Sequence, residues 1–395
     1  MAQTPFFSIT IPTRNRPELF KDALQSVLLQ DFDDFEVIVS DNSTDDSTQV
    51  ILESFRSSPK LTIFRTDGNL SMPQHWEFIT QKARGRYVLV LTDRSVLKQH
   101  ALNAIHAAIS SSAQDILVCS WRWSLFDEIS RCEYADFPMI KEGSIVSSPS
   151  QNIAQNFVNG RKGYPYDLPR ALNSCYRNDL AAEIRKKHGA LFLPLSPDFT
   201  CAFLLLAYAE QALFLDIALF ISQGLSVSNG TRCQNSVSAA ESYLKTLGIS
   251  DYFAHVPIKM MAIVESAIFE DFLAIQKMAG GELTKVEMNW AEYFVRCYKE
   301  IIGKNRKNSI KKEEFDLLRS AWEQALNDMN ENIQDKVKKQ IRRLWWLKFK
   351  LLIQKIVPVE TISFLMRIAR GTIKNHSNTA LKAAGHNPSA TFKSY

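Results

Sequence analysis

The sequence lacks several features that would narrow its class at once. Its six cysteines are scattered, with no Cys-x-x-Cys pair and no histidine placed to complete a zinc set. The first residues show neither the basic segment nor the apolar core of a signal peptide. No uncharged apolar run reaches the roughly 18 residues needed to span a bilayer. Together these absences predict a cytoplasmic protein with reduced thiols.

Acidic residues are almost missing from the carboxyl end of the chain. The net charge is +5, but residues 336–395 hold thirteen Lys and Arg against one acidic residue, so they carry +12 and residues 1–335 carry −7. Within this part, residues 337–357 interleave basic side chains with tryptophans and aliphatic residues. Basic amphipathic helices of this kind bind anionic membrane surfaces, which makes a peripheral membrane contact one expectation. Packing on the protein's own helices is the alternative, and nucleic acid is not expected because no recognised module accompanies the charge.

Apolar strands and amphipathic helices alternate over the first hundred residues. Strands are predicted at residues 6–11, 35–39, 61–64 and 87–91, each followed by a helical pattern or by turn residues. Alternation at this spacing is typical of a doubly wound α/β fold with a mostly parallel sheet. From about residue 239 the pattern changes to long helical periodicity with little strand signal.

Polar residues stop two of the predicted strands at their carboxyl ends. The apolar run at residues 87–91 ends at Thr92 and Asp93, and the strand at 35–39 is followed by Ser40 and Asp41. In open α/β sheets this is the edge where ligands bind, so both carboxylates are candidates for ligand contact. For Asp41 the alternative is a cap for the helix that follows.

Three segments of the sequence resemble the family-two glycosyltransferases of the GT-A fold. They are Ile-Pro-Thr-Arg-Asn-Arg at residues 11–16, Val-Ile-Val-Ser-Asp-Asn-Ser-Thr-Asp-Asp-Ser at 37–47, and Gly-Arg-Tyr-Val-Leu-Val-Leu-Thr-Asp at 85–93. The resemblance extends over about residues 6–235, and the Gly-x-Gly-x-x-Gly fingerprint of dinucleotide binding is absent. It implies a GT-A domain, a nucleotide-diphosphate sugar donor, a glycan or lipid-linked acceptor, transfer with inversion, and a role in surface polysaccharide synthesis.

The same resemblance assigns candidate site residues. The residues expected to bind the nucleotide sugar are Pro12, Thr13, Arg14, Arg16, Asp41, Asp93 and Arg94. Asp198, which follows Pro197 at the start of a predicted helix, is the expected catalytic base that takes the proton from the acceptor hydroxyl. A helix cap without catalytic function is the alternative for Asp198.

A divalent metal is a further part of the site that the resemblance implies. The family usually places two or three acids after the fourth strand, one of which binds Mg²⁺ or Mn²⁺ at the diphosphate, whereas here Asp93 is followed by Arg94 and Ser95. One carboxylate can hold Mg²⁺ together with phosphate oxygens and water. Arg94 can instead neutralise a departing diphosphate without a metal, or point to solvent or pair with Asp93. The missing acids also leave open a non-catalytic protein that binds nucleotide or scaffolds a glycan assembly.

The chain divides into four predicted parts. Residues 1–110 form the nucleotide-sugar-binding half of the GT-A domain, and residues 111–238 form the acceptor-binding and catalytic half. Residues 239–373 form a helical region that includes the basic helix. Residues 374–395 are expected to form a flexible tail.

Overall fold

The computed structural model describes residues 4–135, 143–160, 167–224, 228–248, 252–353, 373–376, 380 and 384–385. The strands in these ranges are β1 (Phe7–Thr13), β2 (Phe35–Asp41), β3 (Leu61–Arg65), β4 (Tyr87–Val90), β5 (Ser95–Leu97), β6 (Val118–Asp127), β7 (Cys132–Ala135), β8 (Ile145–Pro149), β9 (Ser174–Arg177), β10 (Gln211–Ser222) and β11 (Ile373–His376). The helices are α1 (Pro17–Leu28), α2 (Ser47–Glu53), α3 (Met72–Thr80), α4 (Ala101–Ser110), α5 (Ser150–Val158), α6 (Asn178–His188), α7 (Pro197–Tyr208), α8 (Asn229–Asn235), α9 (Val237–Leu247), α10 (Val264–Ala279), α11 (Trp290–Arg306), α12 (Lys312–Asn327) and α13 (Glu331–Ile353).

One mixed sheet runs through the described part of the chain. Its order is β11-β7-β6-β9-β4-β1-β2-β3, and β10 pairs with β6, β5 and β8. The four strands β3, β2, β1 and β4 are parallel to one another, while β9 is antiparallel to both β4 and β6. The predicted α/β fold with parallel central strands and a helical carboxyl region is therefore confirmed. Because the chain proceeds from β1 to β2 on one side and places β4 on the other, the strand order reverses between β1 and β4.

The central strands are covered on both faces, as their continuous apolar sequences predict. Phe7, Ile9 and Ile11 of β1 pack in one cluster with residues of α1 and α4. Val88 and Val90 of β4 belong to a second cluster with α5, α6 and α7. Burial on both faces fixes the register of these strands, and the register fixes which side chains meet at the carboxyl edge.

The helical region shares its core with the sheet domain. Residues of α10, α11 and α12 belong to the same apolar cluster as β4 and α7. The ring centroids of Phe203 in α7 and Phe272 in α10 are 5.2 Å apart. The boundary predicted at residue 238 therefore does not separate two cores, because the apolar face of α10 is buried against α7.

Gly281 marks a close approach between the helical region and the end of α7. Its φ is +58°, and an added Cβ would overlap the carbonyl oxygen of Ala207. We expect Gly281→Ala to lower the free energy of unfolding by about 2–5 kcal/mol, because left-handed strain and a backbone clash add. Gly248→Ala is the matched control: its φ is +69° but nothing lies within 4 Å of its Cβ, so about 1–2 kcal/mol is expected. Equal losses in urea unfolding would contradict this interpretation.

Helix α13 carries the first part of the basic amphipathic segment. Val337 is fully buried, and Ile341 and Leu344 pack against the cluster that contains α11. Up to residue 344 the apolar side of this helix therefore faces the protein, which was the alternative to a membrane surface. The side chains of residues 345–357 lie outside the described residues, so contact with a membrane stays a prediction. Among the described helices, none combines the length and the hydropathy that a membrane crossing requires.

Of the predicted flexible tail at residues 374–395, the structure describes residues 374–376, 380, 384 and 385, which contact the sheet domain, and the flexibility of the tail stays a prediction. Strand β11 pairs antiparallel with β7 at the edge of the sheet. Ala380 and Ala384 are buried in an apolar cluster with residues of β5, β6 and β10. The backbone N–H of Gln99 donates to the carbonyl of Ala384 at 2.9 Å. The edge strand β7 pairs with this segment through backbone N–H and C=O groups. The amino-acid composition of the segment does not predict such pairing.

Candidate functional site

Three side chains lie level with one another across the carboxyl ends of neighbouring parallel strands. Backbone pairing places Asp41 of β2 opposite Thr13 of β1. Extending the register between β1 and β4 by three residues places Asp93 at the same level. The Thr13 hydroxyl donates to Asp93 Oδ2 at 3.3 Å, so this level continues past the end of β4. Because the strand order reverses here, the row formed by Asp41, Thr13 and Asp93 occupies the position where open α/β sheets bind ligands.

Strand β9 lies between β4 and β6, because Val88 of β4 and Val118 of β6 both pair with Tyr176 of β9. Toward the carboxyl end of β4, β9 is replaced by a 3-10 turn at Ala171–Asn173, while β6 continues through Trp123. Trp121, two residues before Trp123 on β6, is buried in the core.

Trp123 connects this edge to Asp198 through an arginine. The guanidinium carbon of Arg170 lies 4.5 Å from the Trp123 ring centroid and 5.2 Å from that of Phe199. Its Nη1 lies 3.8 Å from Asp198 Oδ2, and the two side chains are 15% and 18% exposed. Burial raises the pKa of the Asp198 carboxyl, and the charge of Arg170 partly opposes that rise. A carboxylate with a raised pKa that keeps some exposure is suited to accept a proton.

Asp93 forms an ion pair with Arg16 of the loop after β1. The distance from Arg16 Nη1 to Asp93 Oδ1 is 3.1 Å, and the side chains are 25% and 5% exposed, respectively. Burial raises the pKa of the Asp93 carboxyl, while the charges of Arg16 and Arg94 lower it. Asp93 thus orients Arg16, and part of the guanidinium stays accessible at the carboxyl edge.

Both carboxylate oxygens of Asp93 have hydrogen-bond partners in the protein, and a metal at this carboxylate stays a prediction. Asp93 Oδ1 accepts a hydrogen bond from Arg16 and Oδ2 accepts one from Thr13. The negative charge of Asp93 is therefore balanced by the Arg16 guanidinium. Within the described ranges, no group of three or more His, Cys, Asp or Glu side chains is arranged to hold a metal. We therefore derive no catalytic step through a metal at Asp93.

Asp41 makes internal hydrogen bonds at both carboxylate oxygens. Oδ1 accepts from the backbone N–H of Ser43 at 2.9 Å, and Oδ2 accepts from Gln49 Nε2 at 2.7 Å. The residue is fully buried. These bonds tie Asp41 to the loop before α2 and to the Gln49 side chain, but they do not cap α2, whose N-cap residue is Asp46. Contact between Asp41 and a ligand stays a prediction.

The other residues expected to bind the donor lie near the end of β1. Pro12 is buried in the strand and pairs with Ser40 of β2. Arg14 is exposed, and its Nη1 donates to the carbonyl of Leu70 at 3.2 Å. Arg14 therefore lies on the solvent-exposed side of the row. The pairing of Pro12 with Ser40 places the next residue, Thr13, opposite Asp41.

Arg94 braces the end of β10. Its Nη1 donates to the carbonyls of Gln223 at 2.9 Å and Gly224 at 3.4 Å, and its own carbonyl accepts from the Gln223 N–H at 2.9 Å. Burial lowers the pKa of Arg94, which Asp93 partly opposes. The predicted contact between Arg94 and a diphosphate stays a prediction, because this geometry directs Nη1 to the backbone.

Sequence reasoning did not single out Arg170. It lies between Pro169 and a short 3-10 turn at Ala171–Asn173, with no motif around it. Its backbone is held because its carbonyl accepts from the Ser174 hydroxyl at 2.8 Å. Its position is revealed only by the packing of Trp123 and Phe199 around the guanidinium. Neither aromatic residue is near Arg170 in the sequence, since Trp123 lies in β6 and Phe199 lies in α7.

The structure contains an open α/β sheet with this row at the point where the strand order reverses. Proteins of this fold class bind their ligands at that carboxyl edge. Residues 8–145 match the family model described as Glycosyl transferase family 2. The predicted resemblance to family-two glycosyltransferases is thereby confirmed over this segment, which includes Thr13, Arg16, Asp41 and Asp93. Asp198 lies beyond the matched residues.

Individual proteins show the same segmental similarity. The chain is 32% identical over 117 residues to the uncharacterized glycosyltransferase YfnE of Bacillus subtilis, covering 29% of this chain and 30% of that protein. It is 32% identical over 103 residues to the GalNAc(5)-diNAcBac-PP-undecaprenol beta-1,3-glucosyltransferase of Campylobacter jejuni, covering 26% and 33%. A crystal structure of Staphylococcus aureus TarS 1-349 with UDP-GlcNAc superposes with a TM-score of 0.48 and 16% identity, covering 85% of this chain and 91% of that one. The matched segment thus spans about a third of the length of the two curated relatives.

Proposed function

We propose that this protein is a glycosyltransferase that moves a sugar from a nucleotide-diphosphate sugar to an acceptor hydroxyl with inversion. The observation that carries this proposal is the row Asp41, Thr13, Asp93 at the switch point, connected through Trp123 and Arg170 to Asp198. The family match over residues 8–145 supports the class of reaction.

In the proposed mechanism Arg16 and Asp198 have separate tasks. Arg16, held by Asp93, meets the negative charge of the diphosphate as it departs. Asp198 removes the proton from the acceptor hydroxyl as the oxygen attacks the anomeric carbon. The bond from that carbon to the diphosphate breaks on the opposite face, so a single displacement inverts the configuration. This division requires no metal, and we propose that the diphosphate charge is met by arginine.

The acceptor is proposed only by class. The name of the Campylobacter jejuni relative gives an undecaprenol-linked glycan as what that enzyme acts on. A glycan or lipid-linked acceptor in surface glycan synthesis is therefore our proposal for this chain.

A panel of nucleotide sugars tests the activity directly. The full chain is incubated with each donor and with undecaprenol-linked or soluble glycan acceptors, and the release of nucleoside diphosphate is measured. We expect release that depends on the acceptor, and a product whose anomeric configuration by NMR is opposite to that of the donor. Failure of the protein to bind any nucleoside diphosphate by calorimetry would overturn the proposal.

The pH profile tests the role of Arg170. Because Asp198 must be deprotonated to act as a base, transfer should rise with pH through its pKa, which burial raises above the ordinary value of 3.8. Arg170→Met removes the charge that lowers this pKa, so the acidic limb of kcat/KM should move to higher pH. Arg170→Lys keeps the charge and should keep the limb near its original position. An unmoved limb in Arg170→Met would contradict the assignment of Asp198.

A further inference from the structure

The loop that leads into Asp198 has a backbone conformation that needs support. Leu195 has φ +73°, in the left-handed region that non-glycine residues rarely adopt. Such a residue is costly by itself and persists where surrounding contacts hold it. Ser196 follows, and α7 begins at Pro197, so the direction of the first helical turn, which carries Asp198, depends on this conformation.

Two side chains of the helical region bind the N–H and the carbonyl of the same peptide group, between Leu195 and Ser196. Asp271 Oδ2 of α10 accepts from the backbone N–H of Ser196 at 2.9 Å. Tyr243 Oη of α9 donates to the carbonyl of Leu195 at 3.0 Å. Both bonds are sheltered from solvent, since Asp271 and Leu195 are 6% and 4% exposed. Hydrogen bonds in a dry environment fix geometry more strongly than exposed ones.

The helices that supply these two bonds are themselves anchored. Phe272, next to Asp271, packs its ring on Phe203 of α7. Glu270, on the other side, accepts backbone N–H groups of Ala254, His255 and Val256. Asp271 therefore approaches Ser196 from a rigid helix rather than from a mobile loop.

We infer that Asp271 and Tyr243 are positioning residues for transfer, which hold the Leu195–Ser196 peptide so that Asp198 faces the acceptor hydroxyl. The inference rests on the proposed function, in which Asp198 is the base. It makes the helical region part of the catalytic unit, although it lies outside the residues that match the family model. Neither side chain touches the reacting atoms in this proposal.

The hydrogen bond at Asp271 needs an acceptor oxygen but not a negative charge. Burial raises the pKa of the Asp271 carboxyl well above its ordinary value. The Asn carboxamide keeps an acceptor oxygen of the same reach, whereas Ala removes it. Asp271→Asn and Asp271→Ala therefore separate the positioning contact from the charge.

Kinetics of four variants test the inference. Asp271→Ala should lower kcat by about a hundredfold, the effect expected when a catalytic group is displaced by about 1 Å. Asp271→Asn should retain most of kcat, and Tyr243→Phe should give a smaller loss than Asp271→Ala. The donor KM and the affinity for UDP should not change. Glu36→Ala is the matched control: Glu36 is a buried carboxylate that accepts the backbone N–H of Arg84 at 2.9 Å, near the start of β2 and at the opposite end of that strand from Asp41, so its loss should lower stability but not kcat.

Hydrogen exchange provides a readout that needs no substrate. Peptides covering residues 193–199 should exchange faster in Asp271→Ala than in the unmodified protein or in Glu36→Ala. Unchanged exchange there, or an unchanged kcat in Asp271→Ala, would overturn the inference. If the unmodified protein transfers no sugar, the proposed function fails, and the exchange data still decide whether Asp271 holds the loop.

Discussion

Replacing Asp198 by Asn should lower kcat by about 10² to 10⁴-fold, the contribution typical of a general base. The amide is nearly the same size, so the first turn of α7 and its contact with Arg170 should be preserved. It cannot accept the proton that the acceptor hydroxyl loses. Arg16 and Asp93, which are proposed to meet the diphosphate, follow β1 and β4, whereas Asp198 lies in α7. The affinity for UDP should therefore stay unchanged. Steady-state kinetics and calorimetry measure the two quantities separately.

Asp179→Asn is the control for this experiment. Asp179 also lies in the first turn of a helix, α6, but it pairs with Arg177 at an exposed position. If Asp198 were only a helix cap, the two variants should lose similar stability and neither should lose transfer. Full activity in Asp198→Asn would therefore remove it as the base, and the row at Asp93 would then describe a nucleotide-binding site without an assigned base.

The sequence predicted the donor side of the site because local patterns determine it. Strands β1, β2 and β4 are apolar runs that end at polar residues, and parallel pairing brings Thr13, Asp41 and Asp93 to one level. Pro17 and the apolar face behind it predicted α1, which the structure places at Pro17–Leu28. Each of these features depends on residues within one strand–helix unit, so periodicity and turn chemistry are sufficient.

The contacts around Asp198 were not predictable in the same way. Arg170 reaches Asp198 only through packing between Trp123 and Phe199, and Asp271 reaches Ser196 across 75 residues of chain. No periodic pattern links such positions, because the contacts depend on how α7 and α10 pack. The backbone contacts of Arg94 were not predictable for the same reason, since its partners at the end of β10 are 129 and 130 residues away.

The structure changes the electrostatic account of the donor site. From the sequence, Arg94 was the arginine expected to neutralise the diphosphate, with a metal at Asp93 as the alternative. In the structure Arg94 Nη1 binds backbone carbonyls, and Arg16 is the arginine that Asp93 orients. Under the proposed function a single acid after β4 is sufficient, because Asp93 would hold the Arg16 guanidinium at the row.

Arg16→Met should weaken UDP binding by about 10 to 100-fold, since a hydrogen bond between charged groups contributes about 1.5–3 kcal/mol. Binding of UMP, which lacks the second phosphate, should weaken less, so the preference for UDP should fall. Arg56→Met is the control, because Arg56 is an exposed arginine paired with Glu53. Calorimetry in EDTA and in Mn²⁺ completes the test: equal UDP affinity in both is expected. A large gain with Mn²⁺ would show that the diphosphate charge is met by a metal, and that the ion pair between Arg16 and Asp93 opens when the donor binds.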